Sequence, residues 1–583
     1  MHQDADAHLT SPPANPRMLR MTEPDSALTN TAPRMVSQKR SELVRAAHLL
    51  VVGCMLLSGI LLAQDERWVY TYDGSAEDEV SCITCDAAGN TYSAGKSVAG
   101  YHDFLVVSTS SEGLERWVYR YNGSANLWDW ANAIASDGSS RIYAAGMSSG
   151  QGTAEDFTVV CLDTCGTEQW VYRYNGRVNS FDVAYCVTCG ADGNIYAAGV
   201  CDSNHQFLVL SLTPAGTRRW TYKYDGPGSI ENCGRAIASG RDGNVYVAGF
   251  GVGNGTWKDF TVVSLTNTGE ERWVYTRTGS ASWGADEARA VACDSAGNVY
   301  AAGWCTDSIS GEDIVVVSLD SAGRERWVYR LDGPAGMDDE ALSAALDSGG
   351  TVYVAGFSEE SGGYTDLVAV SLSDSGEHRW TYRYDGGSYK SEVARWVTVG
   401  PTGDVYVAGS TCPTGWDTDF TIISLSGAGS DRWAYYHDGP AGTGDRASCV
   451  AVGNDGSVYA AGMQMATGPD AVVISVTPGV GTEGEKPSEL ASDCVLRSHP
   501  VPFAGRAIVE YSVPWSTPVM LAVFSSTGRL VRVLTQGQKT AGVYSVRWDG
   551  IDDLGKAVPP GAYICRLVVG RGQVRTTKML CTR

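Results

Sequence analysis

Charge is scarce in this sequence. Charged side chains make up 19% of its 583 residues, and 44 basic ones face 66 acidic ones for a net charge of −22. Such a surface repels phosphate backbones, which excludes nucleic acid as the expected partner. Phenylalanine is rare too, at 10 copies beside 17 Trp and 29 Tyr. Glycine lacks a period of three despite 69 copies, which excludes a collagen-like chain, and an apolar share of 43% excludes a disordered one. There is no Cys-Cys dipeptide and no contiguous Asp-x-Asp-x-Asp-Gly calcium loop. Beyond residue 63 the only histidines are His102, His205, His378, His437 and His499, in unrelated positions, so no nucleophile–base pair stands out. What is present, Gly, Tyr and Trp with little charge, suits a turn-rich all-β chain.

The N-terminal region reads as export machinery. Lys39, Arg40 and Arg45 precede an apolar run from Ala46 to Ala63, so residues 35–63 are expected to form a signal peptide cut near Ala63. Residues 1–34 are polar and patternless, an expected disordered leader upstream of a translation start at Met35. A retained anchor and a lipoprotein site at Cys54 are the alternatives. The run is short for a membrane span, and apolar residues continue past Cys54. The mature protein is expected to be secreted or held at the cell surface, touching membrane only through export or anchoring.

One phrase recurs throughout the middle of the chain. Trp68, Trp117, Trp170, Trp220, Trp273, Trp327, Trp380 and Trp433 lie 49 to 54 residues apart, each with Tyr two positions later. A second phrase, of the form Gly-Asn-Val-Tyr-Val-Ala-Gly, is centred on Tyr92, Tyr143, Tyr196, Tyr246, Tyr300, Tyr353, Tyr406 and Tyr459. Each unit reads as four short strands, exemplified by Arg235–Ser239, Val245–Ala248, Phe260–Leu265 and Trp273–Tyr275. Four strands in about 52 residues, eight times over, predict an eight-bladed β-propeller across residues 64–477. Gly sits four residues before Trp117 and each later repeat Trp, which predicts a tight turn with positive φ. Trp68 lacks that turn, and the strand ending at Val476 lacks a ninth Trp. The N-terminal strand Trp68–Tyr72 is therefore expected to complete the last blade and close the ring.

The phrases Arg116-Trp-Val-Tyr-Arg-Tyr-Asn-Gly123, Gly243-Asn-Val-Tyr-Val-Ala-Gly249 and Asp259-Phe-Thr-Val-Val-Ser264 resemble the bacterial seven-bladed β-propeller (SBBP) repeat. The resemblance spans residues 67–477 and implies the fold but no chemistry; the eight copies differ from the family's seven. Residues 478–490 read as a linker. In 491–583, about seven alternating strands predict an Ig-like β-sandwich. His499-Pro-Val-Pro-Phe503, Gly528-Arg-Leu-Val-Arg532, Trp548-Asp-Gly550 and Gly561-Ala-Tyr563 resemble the flagellar-hook-capping-type Ig domain. The module is also similar to the C-terminal sorting domains of type IX secretion substrates, with His499-Pro-Val-Pro in place of that family's Tyr-Pro-Asn-Pro. These resemblances imply surface delivery or attachment.

Sixteen cysteines include Cys82-x-x-Cys85 and Cys186-x-x-Cys189. Positions three apart on a strand point to opposite faces, so neither pair is expected to chelate zinc, and small buried thiols are the reading. Without Cys54, 15 remain, an odd number. Fourteen residues before the repeat tyrosines stand Asp78, Asp129, Asp182, Asn232, Asp286, Asp339, Glu392 and Asp445. These acidic groups read as turn-fixing hydrogen-bond acceptors, with a cation-binding rim as the alternative. Trp128, Trp130, Trp257, Trp283, Trp304 and Trp416 fall in or beside loops of the same face and are the candidate ligand-binding residues. Trp396, Trp515 and Trp548 are expected in cores.

Asp320-Ser-Ala-Gly323-x-x-x-Trp327 resembles, one residue short, the tryptophan-docking motif of the eight-bladed pyrroloquinoline-quinone dehydrogenases. The expected function is nonetheless a non-enzymatic binding or scaffold protein of the bacterial cell surface. It has no catalytic residues, cofactor or metal, and its unidentified protein or polysaccharide ligand sits on the variable-loop face. A quinoprotein dehydrogenase or lyase is the first alternative, a structural surface-layer component the second.

Overall fold

The computed structural model describes residues 66–477 and 496–582, apart from short loop segments that include 282–283 and 414–416. The leader, signal segment and linker of the sequence reading lie outside the described residues, as do Trp283, Trp416 and Trp515. The chain divides between Val480 and Gly481 into two compact units. Both are all-β, and among the described residues no helix is long and apolar enough to cross a membrane.

The first unit begins with β1 (Glu66–Tyr72), β2 (Asp78–Cys85), β3 (Thr91–Val98), β4 (His102–Thr109) and β5 (Glu115–Tyr121). Strands β2 to β5 form sheet one, antiparallel and in chain order. Six further four-stranded sheets repeat it: sheet two at residues 129–174, three at 183–224, four at 233–277, five at 287–331, six at 339–384 and seven at 393–437. Sheet eight takes three strands from residues 446–476, and its fourth is β1, paired antiparallel to Pro469–Val476 with Tyr70 opposite Val473. The middle strands read as continuous apolar runs because they are covered on both faces; Val245–Val252 is buried along its whole length.

Neighbouring sheets meet through the repeat phrase itself. The Trp117 indole of sheet one donates to the Thr164 carbonyl of sheet two at 3.0 Å, and Tyr119 donates to Glu168 at 2.6 Å. The hairpin glycines that these indoles cover have φ between 79° and 86°. Their missing side chain matters as much as φ: a Cβ on Gly166 would fall 2.6 Å from the Trp117 ring. The strand β1 makes the same contacts on behalf of sheet eight. Trp68 donates to the Ser111 carbonyl of sheet one at 2.9 Å and Tyr70 to Glu115 at 2.6 Å, while Tyr435 of sheet seven donates to Glu66 at 2.6 Å.

Each first strand is bulged. In sheet four Gly234 lies opposite Gly249 and Ala236 opposite Ala248, so Arg235 has no cross-strand partner. The last glycine of the Val-Ala-Gly phrase makes room for this bulge, because a Cβ on Gly249 would stand 1.8 Å from the Cys233 carbonyl oxygen. The same register shift recurs in all eight sheets.

The second unit holds seven strands among the described residues. Leu496–His499, Ala507–Val513 and Gly542–Trp548 form one sheet; Thr517–Ser525, Leu530–Lys539, Gly561–Val569 and Gln573–Cys581 form the other. Tyr511 and Trp548 from the first pack with Leu521, Cys565, Leu567 and Met579 from the second in one core. That is a sandwich built on alternating strands. Trp548 is fully buried, and its indole nitrogen donates to the Ile551 carbonyl at 2.8 Å.

Candidate functional site

The eight bulges leave one unpaired residue per first strand: Ser81, Asn132, Tyr185, Arg235, Arg289, Leu342, Arg395 and Ser448. A bulge re-aims its side chain out of the sheet's alternation. Six of these residues, with first-strand neighbours from seven sheets, line a cavity of about 490 Å3. Trp396 lines it too, at 37% exposure, which corrects its expected place in a core. Its slot in the other sheets holds Cys82, Ala133, Cys186, Ala236, Ala290, Ser343 and Cys449, small enough to pack between first strands. An indole is not, and it turns into the opening.

Charges crowd one end of these strands. Glu287 accepts from Arg235 at 2.8 Å and lies 3.0 Å from Arg289. Arg235 also covers the Tyr185 ring at 4.7 Å, and Arg289 covers Trp304 at 5.0 Å. Glu79 pairs with Arg446 and, at 3.5 Å, with Lys96. Burial, with Glu340 and Asp338 close by, pushes the Glu312 carboxyl up to about 8; Glu340 is likewise raised, by burial first. Counting eleven residues back from each repeat Tyr finds the bulge residues in the sequence, but a strict period of two hides them.

The loop tryptophans separate into distinct environments. Trp128 is 41% exposed and stacks on His102 with ring centres 4.7 Å apart, Tyr101 and Trp130 adjoining at 6.2 and 6.5 Å. Lys96 lies over Trp130 at 6.0 Å. Burial and then Lys96 hold the His102 imidazole below its ordinary value, which keeps the platform neutral on that ring. Trp257 stands apart, 47% exposed. Trp304 differs from its expected loop position: it belongs to the strand Val299–Asp307, is 5% exposed and lies under Arg289. That strand runs on beyond the repeat phrase and carries the residue into the sheet.

The acidic set is fully buried: Asp78, Asp129, Asp182, Asp286, Asp339, Glu392 and Asp445 all show no exposed surface, so none is a group on an open rim. In sheet two Asp129 accepts from the amides of Gly123 at 2.9 Å and Ser149 at 3.1 Å, tying together two loops. Asp182, Asp286 and Asp445 clamp the equivalent pairs of amides, and the Asn232 side chain accepts from Val252 at 3.0 Å. Asp78 and Asp339 accept from Gly74 and Gly333 at 2.5 Å. Burial raises Asp286 to about 6 and Glu392 to about 7.

Carboxylates also gather where these clamps meet the third strands. Asp73, Asp78 and Asp470 converge, as do Asp313, Asp332 and Asp339, then Asp419, Asp438 and Asp445, each with oxygens within 4.8 Å of one another, the spacing a cation needs. Asp182, Cys201 and Asp202 form a fourth group. Arg330 and Lys223 already engage Asp313 and Asp202. Tyr436 and Thr71 occupy the register position of Arg330 in sheets seven and eight. Neither Cys-x-x-Cys pair belongs to such a group among the described residues. Cys85, Cys186, Cys189 and Cys293 are part-buried, Cys165 is exposed, and the other described thiols are buried.

No curated protein matches the chain. Solved structures that resemble it do so distantly, two of them as follows. A protein of unknown function from Bacteroides caccae is 14% identical with a TM-score of 0.30, the match covering 50% of this chain and 93% of that one. A eukaryotic initiation factor is 10% identical with a TM-score of 0.33, covering 61% and 87%. Similarities this low carry no argument. Residues 509–572 match the FlgD Ig-like domain family, and the second unit thus contains an Ig-like domain of that kind.

Proposed function

We propose that the eight sheets are the blades of a closed β-propeller of the SBBP type, exported and displayed at the bacterial cell surface. It binds, without catalysis, a protein or polysaccharide on the face that carries the loops between second and third strands. The Ig-like unit delivers or attaches it, as a type IX sorting domain does. The observation that carries the binding reading is the exposed aromatic platform of Trp128, His102 and Tyr101 on a rigid sheet scaffold, with Trp257 on another loop of that face. Aromatic side chains on rigid scaffolds give contact area at little entropic cost. The hairpin turns at the other ends of the strands are alike from sheet to sheet, as in Asp242-Gly-Asn and Ser321-Ala-Gly, and offer less to distinguish ligands.

A screen of the purified protein against polysaccharides and envelope proteins, read for both retention and turnover, tests this. Retention without turnover is expected. Truncating Trp128 or Trp257 to Ala should leave the melting temperature unchanged and weaken a retained ligand by about thirtyfold, roughly 2 kcal/mol. Equal binding by the double variant defeats the reading. Turnover favours the lyase alternative.

A further inference from the structure

One cation, next in the chain to the cavity-lining Trp396, has no counterpart. Arg395, the bulge residue of sheet seven, makes no hydrogen bond or ion pair among the described residues, and its Nε is buried without a partner. Arg235 and Arg289 share Glu287, and Arg446 takes Glu79. The charges felt at Arg395 are those of Arg446 and Glu79, and Glu79 is already shared with Lys96. Two guanidiniums and an ammonium therefore surround a single carboxylate, in a chain of net charge −22. Burial, and then Arg446, hold the Arg395 guanidinium below the ordinary arginine value. A desolvated cation without a counter-charge is costly, and an anionic ligand group removes the cost.

We propose that this cluster of cations beside Trp396 binds the carboxylate of an acidic glycan, a uronic acid residue, with Arg395 as its anchor. The planar guanidinium matches a carboxylate through two parallel hydrogen bonds, and the local positive excess draws it in. The adjacent Trp396 offers an open indole face, and Asn132 and Ser81 line the same cavity with groups that hydrogen-bond sugar hydroxyls. A cavity of about 490 Å3 holds a ligand of that size. The inference rests on the reading of the protein as a binder, and names the ligand class.

Calorimetric titration of the full chain with a polyuronate oligosaccharide, a neutral cello-oligosaccharide and an oligo-aspartate peptide decides it. The polyuronate should bind, the neutral chain should not, and the peptide should bind at least about tenfold more weakly. Arg395→Gln should weaken polyuronate binding about tenfold or more with no fall in melting temperature, because no internal partner is lost and a costly buried charge is removed. Arg395→Lys should lose less, and Glu79→Gln should tighten binding by removing the competing carboxylate. Polyuronate that fails to bind, binds Arg395→Gln as well as the parent, or binds no better than the peptide overturns the proposal. Loss of binding in the Trp128/Trp257 variant with none in Arg395→Gln overturns it while leaving the loop-face reading intact. Loss in Arg395→Gln alone refutes that reading instead.

Discussion

A carboxylate with no exposed surface is tolerated only while backbone amides or cations offset its lost hydration. Asp129 has two amides, and Arg173 contributes favourably as well, yet burial still raises it. Glu392 is worse placed. One methylene longer than the aspartates of its slot, it is raised to about 7, by burial first, with Asp366 and Asp385 adding to the shift. An acid whose folded value lies above its ordinary 4.5 binds more protons in the folded state between those two values. The stability it confers is full below about 4.5 and is lost as pH rises through about 7. Denaturant unfolding should therefore show the protein weakening between pH 5 and 8. Glu392→Gln, neutral at every pH, should shrink that loss by on the order of 2 kcal/mol. Identical pH slopes for parent and variant count against the raised carboxyl.

Within a sheet, the bulge and the glycine opposite it form one device. The bulge adds a residue that the ladder cannot pair, and the facing strand must come close enough to leave no room for a Cβ. Gly249→Ala should thus cost on the order of 3 kcal/mol, since the obstacle is the Cys233 backbone carbonyl rather than a movable side chain. Gly243 of the same phrase, at φ 82° with open space around it, should cost about 1 kcal/mol on change to Ala. Equal melting temperatures for the two variants would refute the distinction. This device also marks how far the sequence could be read. Strand number and order follow from the repeat period, because each phrase carries its own turn glycine and its own run of buried residues. The bulge residues do not stand out, since their slot runs from Ser81 to Arg395 with no shared chemistry. Trp304 and Trp396 depart from what their neighbours in the chain suggest: one strand extends further than its phrase, and one indole outgrows a slot made for small residues.

Across the whole first unit, the pairing of its N-terminal strand with its last sheet joins residues about four hundred positions apart. Nothing covalent holds that junction among the described residues. Trp68 lies 6.0 Å from Tyr459 of sheet eight and reaches the Ser111 carbonyl of sheet one, and Tyr435 of sheet seven holds Glu66. Beneath them, the sulfurs of Cys82 and Cys449 meet at 3.7 Å between the first strands of sheets one and eight. Removing residues 66–72 strips the outer strand from Pro469–Val476 and bares its backbone edge to a second chain. Loss of the half-buried Trp68, Tyr70 and Tyr72 together costs on the order of 5 kcal/mol. For a unit of this size that lowers the melting temperature by about 5 °C or more. Light scattering should report aggregation of the truncated chain at concentrations where the parent stays dispersed. Thiol labelling in native buffer gives a local reading of the same event. In the parent the exposed Cys165 should react readily, while Cys82 and Cys449, at 8% and 1% exposure, should resist. In the truncated chain both buried thiols should become reactive, because the junction that covers them opens more often. If melting, scattering and labelling all match the parent, the N-terminal strand is dispensable and the first and last sheets hold each other by packing alone.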